Sequence, residues 1–260
     1  MVSAPEVAPS LEAAGRLVAA AADSGARLVA LPENFYIIGR HEADKVKARE
    51  RDGAGPIQDF LGSLSRKLKI WLLAGTVPIA TEDDSRIRSA CLLYDDAGKR
   101  VARYDKMHVF RYDGGGGEQY DEARTVEPGT EPGRVVESPF GRLALSVCYD
   151  VRFPELYRSL GEFDLAFVPS AFTVPTGAAH WETLLRARAI ENLAYVVAPA
   201  QGGTHASGRT TYGHTMIVDP WGEVLGVRVK GEGVVLAEVD LAHIKKLRAS
   251  LPALSNRRIR

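Results

Sequence analysis

At 260 residues the chain is long enough to bury one large α/β core. Lys plus Arg and Asp plus Glu number 33 each, which removes any general electrostatic case for a nucleic-acid partner, and no apolar run approaches the ~20 residues of a membrane-spanning helix. Two cysteines, Cys91 and Cys148, are too few for a disulfide framework, and MVSAPEVAPS lacks the apolar stretch of a secretion signal, so a reducing cytoplasm is the expected location.

In chain order, residues 10–23 read as a helix with Ser10 as N-cap and Leu11, Ala14, Val18 and Ala21 on one face. RLVAL (27–31) is a short buried strand stopped by Pro32, and Ile57, Phe60, Leu61, Leu64 and Leu68 repeat at helical spacing before the strand-like IWLLAGTVPI. SACLLYD and KRVARYDKMHV form a hairpin about Asp95-Asp96-Ala97-Gly98, and VVESPFGRLALSV forms a second about Pro139-Phe140-Gly141. A short helix over 154–161, the strand DLAFVPSA, a helix over 180–194 and the strand YVVAPA follow. TYGHTMIVDPWGEVLGV and GVVLAEVDL then suggest a meander, closed by a helix over 241–250. Helices alternating with strands, interrupted by hairpins, predict an α/β fold with mixed sheets.

Gly114 to Gly117 suggest a phosphate cradle, but no Lys-Ser/Thr follows and no helix opens there; a mobile loop is the better reading. The basic end NRRIR reads as a solvated tail. The six histidines form no HxH or HExxH pattern, Cys91 sits mid-strand as a structural residue, and Arg186, Arg188 and Glu191 read as a solvated or interface face of their helix. A Cys-His-Asn protease site stays open on composition alone.

The residues that end the strands are more informative. RLVALP stops at Glu33, VARYD at Lys106 and RLALSV at Cys148. In open α/β sheets ligands gather beyond the carboxyl ends of strands. A thiol, a carboxylate and an ammonium supply a nucleophile, a proton carrier and an oxyanion stabiliser. Taken singly, a capping Glu33, a surface Lys106 and a core Cys148 are the commoner roles; their common placement favours one site.

LPENF, YDKMHVF and SVCYDVRFPEL, in that order and at these separations, resemble the three signature regions of the nitrilase (carbon–nitrogen hydrolase) superfamily, and the resemblance runs from about residue 1 to the C-terminus. It implies a single domain over 1–260 with a four-layer αββα sandwich, and dimers or higher homo-oligomers. It also implies Glu33 as general base, Lys106 as transition-state stabiliser and Cys148 as nucleophile. A second glutamate often follows the lysine in a loop resembling YxES; YDEA stands there, so Glu122 is the match, with Glu118 a nearby competitor. On this reading Glu33 takes the Cys148 proton as sulfur attacks an amide carbonyl, Lys106 and the Tyr149 backbone N–H hold the oxyanion, and water hydrolyses a thioester, with no metal or organic cofactor. Glu122 would orient Lys106 or the substrate.

SAFTVPTGAAHWETLLRARAIEN and TYGHTMIVDPWGEV are similar to the Nit branch of the superfamily, which includes amidases acting on deaminated glutathione and on 2-oxoglutaramate; HWE and GHTMIVDPWG favour the first. Nitriles, carbamoylated amines and a silent scaffold are the alternatives, the last weighed against by the intact triad. The substrate is expected to be a small ω-amide bearing a carboxylate. Arg111 and Arg209 are candidates to meet that carboxylate, although surface salt pairing is the commoner role for each, and Phe172 and Thr173 are candidate pocket residues. One departure stands out. The superfamily pattern begins with a strand ahead of the first helix, whereas MVSAPEVAPS has two prolines and leads straight into the helix. A late start codon or a truncated chain is expected, with an apolar run of about 5–6 residues upstream.

Overall fold

The computed structural model describes residues 1–114 and 119–259. Helix α1 (Val7–Asp23) leads into β1 (Leu28–Ala30), then α2 (Asp44–Lys47) and α3 (Pro56–Leu68). β2 (Trp71–Leu73), β3 (Val77–Ala80), β4 (Ile87–Tyr94) and β5 (Arg100–Asp105) complete the first sheet. β1 pairs with β2 in parallel; β2 and β3 share one edge of the long β4, and β5 pairs with β4 as the predicted hairpin. Asp95 fixes that turn by accepting from the backbone of Ala97 and Lys99, and Gly98 supplies the positive φ of 80°.

A small hairpin, β6 (Arg111–Asp113) with β7 (Gln119–Asp121), links the halves. The second half runs β8 (Val136–Ser138), β9 (Gly141–Leu145), α4 (Pro154–Ser159), β10 (Leu165–Phe167), α5 (Val174–Asn192) and β11 (Tyr195–Ala198). The hairpin β12 (Gly202–Thr204)/β13 (Thr210–Tyr212), β14 (Thr215–Val218), β15 (Val224–Arg228) and α6 (Leu241–Ser250) follow. Its sheet is ordered β15-β14-β11-β10-β9-β8, with β9, β10 and β11 parallel and the outer strands antiparallel. The sheets are therefore mixed, as the alternation of hairpins and helices predicts.

Period-two alternation builds the layers. On β2 and β4, Leu72, Leu92 and Tyr94 pack with Ala14 and Val18 of α1 and Ile57 and Leu61 of α3. Leu73, Cys91 and Leu93 belong to the opposite cluster, with Leu143, Leu145 and Val196 of the second sheet and Trp181, Leu185 and Ala189 of α5. Helices thus cover two facing sheets, the αββα order. Cys91 is fully buried in this interior.

Several local expectations shift. Ser10 lies inside α1, whose N-cap is Glu6; its hydroxyl accepts from the Ala4 N–H instead. α5 starts at Val174, not at 180, because Pro175 falls in the first turn, where its missing N–H costs nothing. IWLLAGTVPI breaks into β2 and β3 at Gly75, where φ is +55°. GVVLAEVDL forms no strand: residues 233–239 line a cleft together with Leu28 and Ala30 of β1 and Ile217 of β14. Arg188 is buried, not solvated.

Gly75 ties this fold to function, because a Cβ there would lie 2.0 Å from the Pro32 carbonyl oxygen, directly ahead of Glu33. Gly75→Ala should cost about 2 kcal/mol or more of stability. A urea midpoint unchanged from wild type would show that the Pro32 turn can yield.

Candidate active site

Each of the three strand-end residues is held by its turn. Beyond β1, the Thr76 hydroxyl accepts from the Asn34 N–H at 2.9 Å, and the Gln201 side-chain amide donates to the Glu33 and Asn34 carbonyls at 3.1 and 3.2 Å. Beyond β5, Lys106 donates its backbone N–H to Ser89 at 3.1 Å and accepts from Gly129 at 2.8 Å. Beyond β9, the Cys148 N–H donates to the Pro169 carbonyl at 2.9 Å while its φ is held at +49°. That left-handed conformation is uncommon outside glycine and persists where the surroundings over-determine it.

The side chains converge. Lys106 Nζ donates to Glu33 Oε1 at 2.8 Å and to Glu122 Oε2 at 2.7 Å and Oε1 at 3.0 Å. Glu122 is itself fixed by the Phe110 N–H at 2.7 Å and returns its own N–H to the Phe110 carbonyl at 2.9 Å. Glu33, Lys106 and Cys148 are all buried.

Burial alone would lower the Lys106 ammonium; Glu122 and then Glu33 outweigh it and hold the group well above its ordinary value. For Glu122, burial pushes upward, but Lys106 and, more weakly, Lys45 win and keep the carboxyl below the usual range. The Cys148 thiol goes the other way: burial and the Glu33 carboxylate raise it well above an ordinary thiol, against the pull of Lys106. The site therefore rests with a charged lysine and a neutral thiol.

Asp150 joins two of the turns. Its Oδ2 accepts from Tyr104 Oη and the Val147 N–H, both at 2.8 Å; its Oδ1 accepts from the His108 N–H at 3.1 Å and faces His108 Nδ1 at 2.7 Å. Tyr104 and His108 flank Lys106, and Val147 precedes Cys148, so one fully buried carboxylate sets the spacing between ammonium and thiol. Arg188 of α5 adds a bond from Nε to the Val151 carbonyl at 2.9 Å, bracing the far side of the nucleophile turn. The interface or solvent role expected of Arg188 is replaced by this support. Sequence reading missed Asp150; the signal was its position two residues after the nucleophile in SVCYD.

Glu33, Lys106, Glu122, Cys148, Tyr149, Phe172, Thr173 and Arg209 line one pocket, together with Glu42, Lys45, Asp121 and Thr176, which the sequence reading did not single out. Arg111 does not line it; that residue is exposed on β6. Glu118 and Gly115–Gly117 fall outside the described residues. Among the described residues Glu122 is the second carboxylate that meets Lys106.

A thiol, a carboxylate beside it and an ammonium between two carboxylates, each at a strand end, can be compared with known proteins. The family model for carbon-nitrogen hydrolase matches residues 2–249. The chain belongs to this family. A deaminated glutathione amidase of Synechocystis sp. is 41% identical over 99% of this chain and 95% of its own length, and one of Homo sapiens is 38% identical over 99% and 80%. The C. elegans NitFhit structure superposes with a TM-score of 0.90 at 39% identity, over 99% of this chain and 63% of that fusion protein. Saccharomyces cerevisiae Nit3, of branch 10 of the nitrilase superfamily, gives 0.86 at 28% identity, over 99% and 93%. This carbon–nitrogen hydrolase is therefore an enzyme acting on non-peptide C–N bonds, with the nitrilase fold.

A raised thiol is protonated at neutral pH, and its reactive thiolate grows in only above the ordinary thiol pKa of ~8.5. Alkylation of Cys148 by iodoacetamide, followed by peptide mass mapping, should still be climbing between pH 9 and 10. A plateau by pH 8.5 would show a thiolate already formed. Asp150→Asn sets an amide NH2 against a backbone N–H, that of Val147 or that of His108, and should lower kcat at least about ten-fold, with a stability loss of about 1–3 kcal/mol; steady-state kinetics and a urea titration measure the two.

Proposed function

We propose that this carbon–nitrogen hydrolase is a cysteine amidase whose substrate is deaminated glutathione. The observation that carries the reading is the buried Glu33–Lys106–Glu122 ion cluster beside the Cys148 thiol in one pocket, in a chain whose full-length relatives are named for that substrate.

An amide is a poor electrophile and a neutral thiol a poor nucleophile, so the proton must leave as the C–S bond forms. Glu33 accepts it; the raised thiol pKa means that no thiolate accumulates beforehand. Lys106, with the Tyr149 N–H, stabilises the oxyanion, and its charge is secured by Glu122 at every pH of interest. Glu33 then protonates the leaving amine, which departs as cysteinylglycine and leaves a 2-oxoglutaryl thioester on Cys148. Water enters, Glu33 takes its proton, and attack on the thioester releases 2-oxoglutarate and restores the thiol. Glu122 positions Lys106 throughout.

Phe172 and Thr173 would form the wall against the acyl chain: Phe172 is seated on Trp181 with ring centroids 4.7 Å apart, and the Thr173 hydroxyl is tied to that of Thr176 at 2.8 Å. A homodimer or higher oligomer and a cytoplasmic location belong to the same reading. Exposed Trp221 and the exposed Leu225 and Val227 of β15 support the former. Among the described residues no helix is long and apolar enough to cross a membrane.

Release of cysteinylglycine and 2-oxoglutarate from deaminated glutathione, followed by mass spectrometry, tests the proposal. Cys148→Ala should fall to background, Lys106→Ala about 100- to 1,000-fold and Glu33→Gln about 100- to 10,000-fold. Retained turnover in Cys148→Ala would end the mechanism. Turnover of nitriles or carbamoylated amines, with none of deaminated glutathione, would end the substrate assignment.

A further inference from the structure

Among the described residues the catalytic pocket is lined by three cations, and they are not equivalent. Lys106 is enclosed by Glu33 and Glu122. Lys45 Nζ is 2.8 Å from Glu42 Oε2. Arg209 also lines the pocket, yet among the described residues its buried Nε has no hydrogen-bond partner and its guanidinium forms no ion pair within 4.0 Å, acting on the Glu42 carboxylate only from a distance. The remaining charges on the wall, among the described residues, are anionic: Glu33, Glu42, Asp121 and Glu122. A substrate carboxylate would be repelled along most of this lining and attracted where Arg209 stands.

Arg209 is also oriented in advance. Its guanidinium carbon lies 5.3 Å above the centre of the Tyr120 ring, a contact that fixes the plane of the fork. Its backbone carbonyl accepts from the His205 N–H at 2.8 Å, and the buried His205 ring is pinned between the Ser3 carbonyl at 3.0 Å and the Thr211 hydroxyl at 2.9 Å. A planar fork of this kind, with donors unspent, suits a carboxylate bidentately.

From this we infer that Arg209 is the specificity-determining residue of the pocket: it seats a free carboxylate of the substrate, remote from the scissile bond, and so selects carboxylate-bearing amides over neutral ones. The inference rests on the amidase reading above and adds the residue that reads the substrate's charge. Deaminated glutathione carries such a carboxylate in each half, on the 2-oxoglutaryl side and on the glycyl side. Either half presents the same chemistry to Arg209.

The experiment measures kcat/KM for three amides in wild type and variants: 2-oxoglutaramate (carboxylate in the acyl half), N-butyryl-cysteinylglycine (carboxylate in the leaving half) and butyramide (neither). In Arg209→Gln the preference for one carboxylate substrate over butyramide should fall about 10- to 100-fold, the loss of one charge-assisted pair. Arg209→Lys should recover part of it, which a folding defect would not do. Arg111→Gln, outside the pocket, should leave the ratio as in wild type. A loss confined to one substrate assigns the seat to that half. An equal loss on both marks a long-range field effect and overturns the seat. An unchanged ratio in Arg209→Gln overturns it too, while the amidase reading stands. Wild type that turns over no carboxylate-bearing amide overturns both.

Discussion

Everything in this site depends on one buried ammonium. Lys106 lies out of water with its charge met by two carboxylates from different parts of the chain, Glu33 after β1 and Glu122 after β7. Removing a charge from water costs several kcal/mol, and only close, hydrogen-bonded partners offset it. The cluster therefore forces the β1 turn, the β5 turn and the β7 end to meet within hydrogen-bond distance. Its composition also sets the chemistry. Burial and then the Glu33 carboxylate outweigh the pull of Lys106 on Cys148 and keep the thiol neutral until it reacts.

Two restraints keep that charge cluster registered to the sulfur. One is the left-handed backbone of Cys148, which ends β9 abruptly and is anchored by the N–H bond to Pro169. The other is Asp150, whose two oxygens serve the turns on both sides of the sandwich, Tyr104 and His108 around Lys106 and Val147 ahead of Cys148. A carboxylate with all its bonds satisfied is stiff in a low-dielectric interior. The facing sheets carry the nucleophile and the ammonium respectively, and Asp150 is the short polar link between them.

Much of this was legible in sequence. Glu33, Lys106 and Cys148 stood out because each follows a recognisable strand, and strand ends are where ligands collect in such sheets. The hairpins about Asp95–Gly98 and Pro139–Gly141 carried local turn chemistry that holds in the fold. Failures had local causes. Ser10 looked like a cap because a hydroxyl ahead of an apolar face usually is one, whereas it bonds back to Ala4 from inside the helix. Arg188 looked solvated because charges at helical spacing usually are, yet Val151 and Glu191 satisfy it in the interior.

What the sequence alone determined was the kit: a thiol, an ammonium and a carboxylate at the ends of three strands, in the order and spacing of the carbon–nitrogen hydrolases. Tertiary structure alone decided which further charges join it. Arg111 and Arg209 were equal candidates on paper, since nothing local separates two arginines in polar segments. The β12–β13 connection brings Arg209 to the pocket and over Tyr120, while β6 leaves Arg111 exposed. Lys45, Glu42 and Asp150 enter for the same reason: electrostatic partnership depends on distance in space, and chain separation does not encode it.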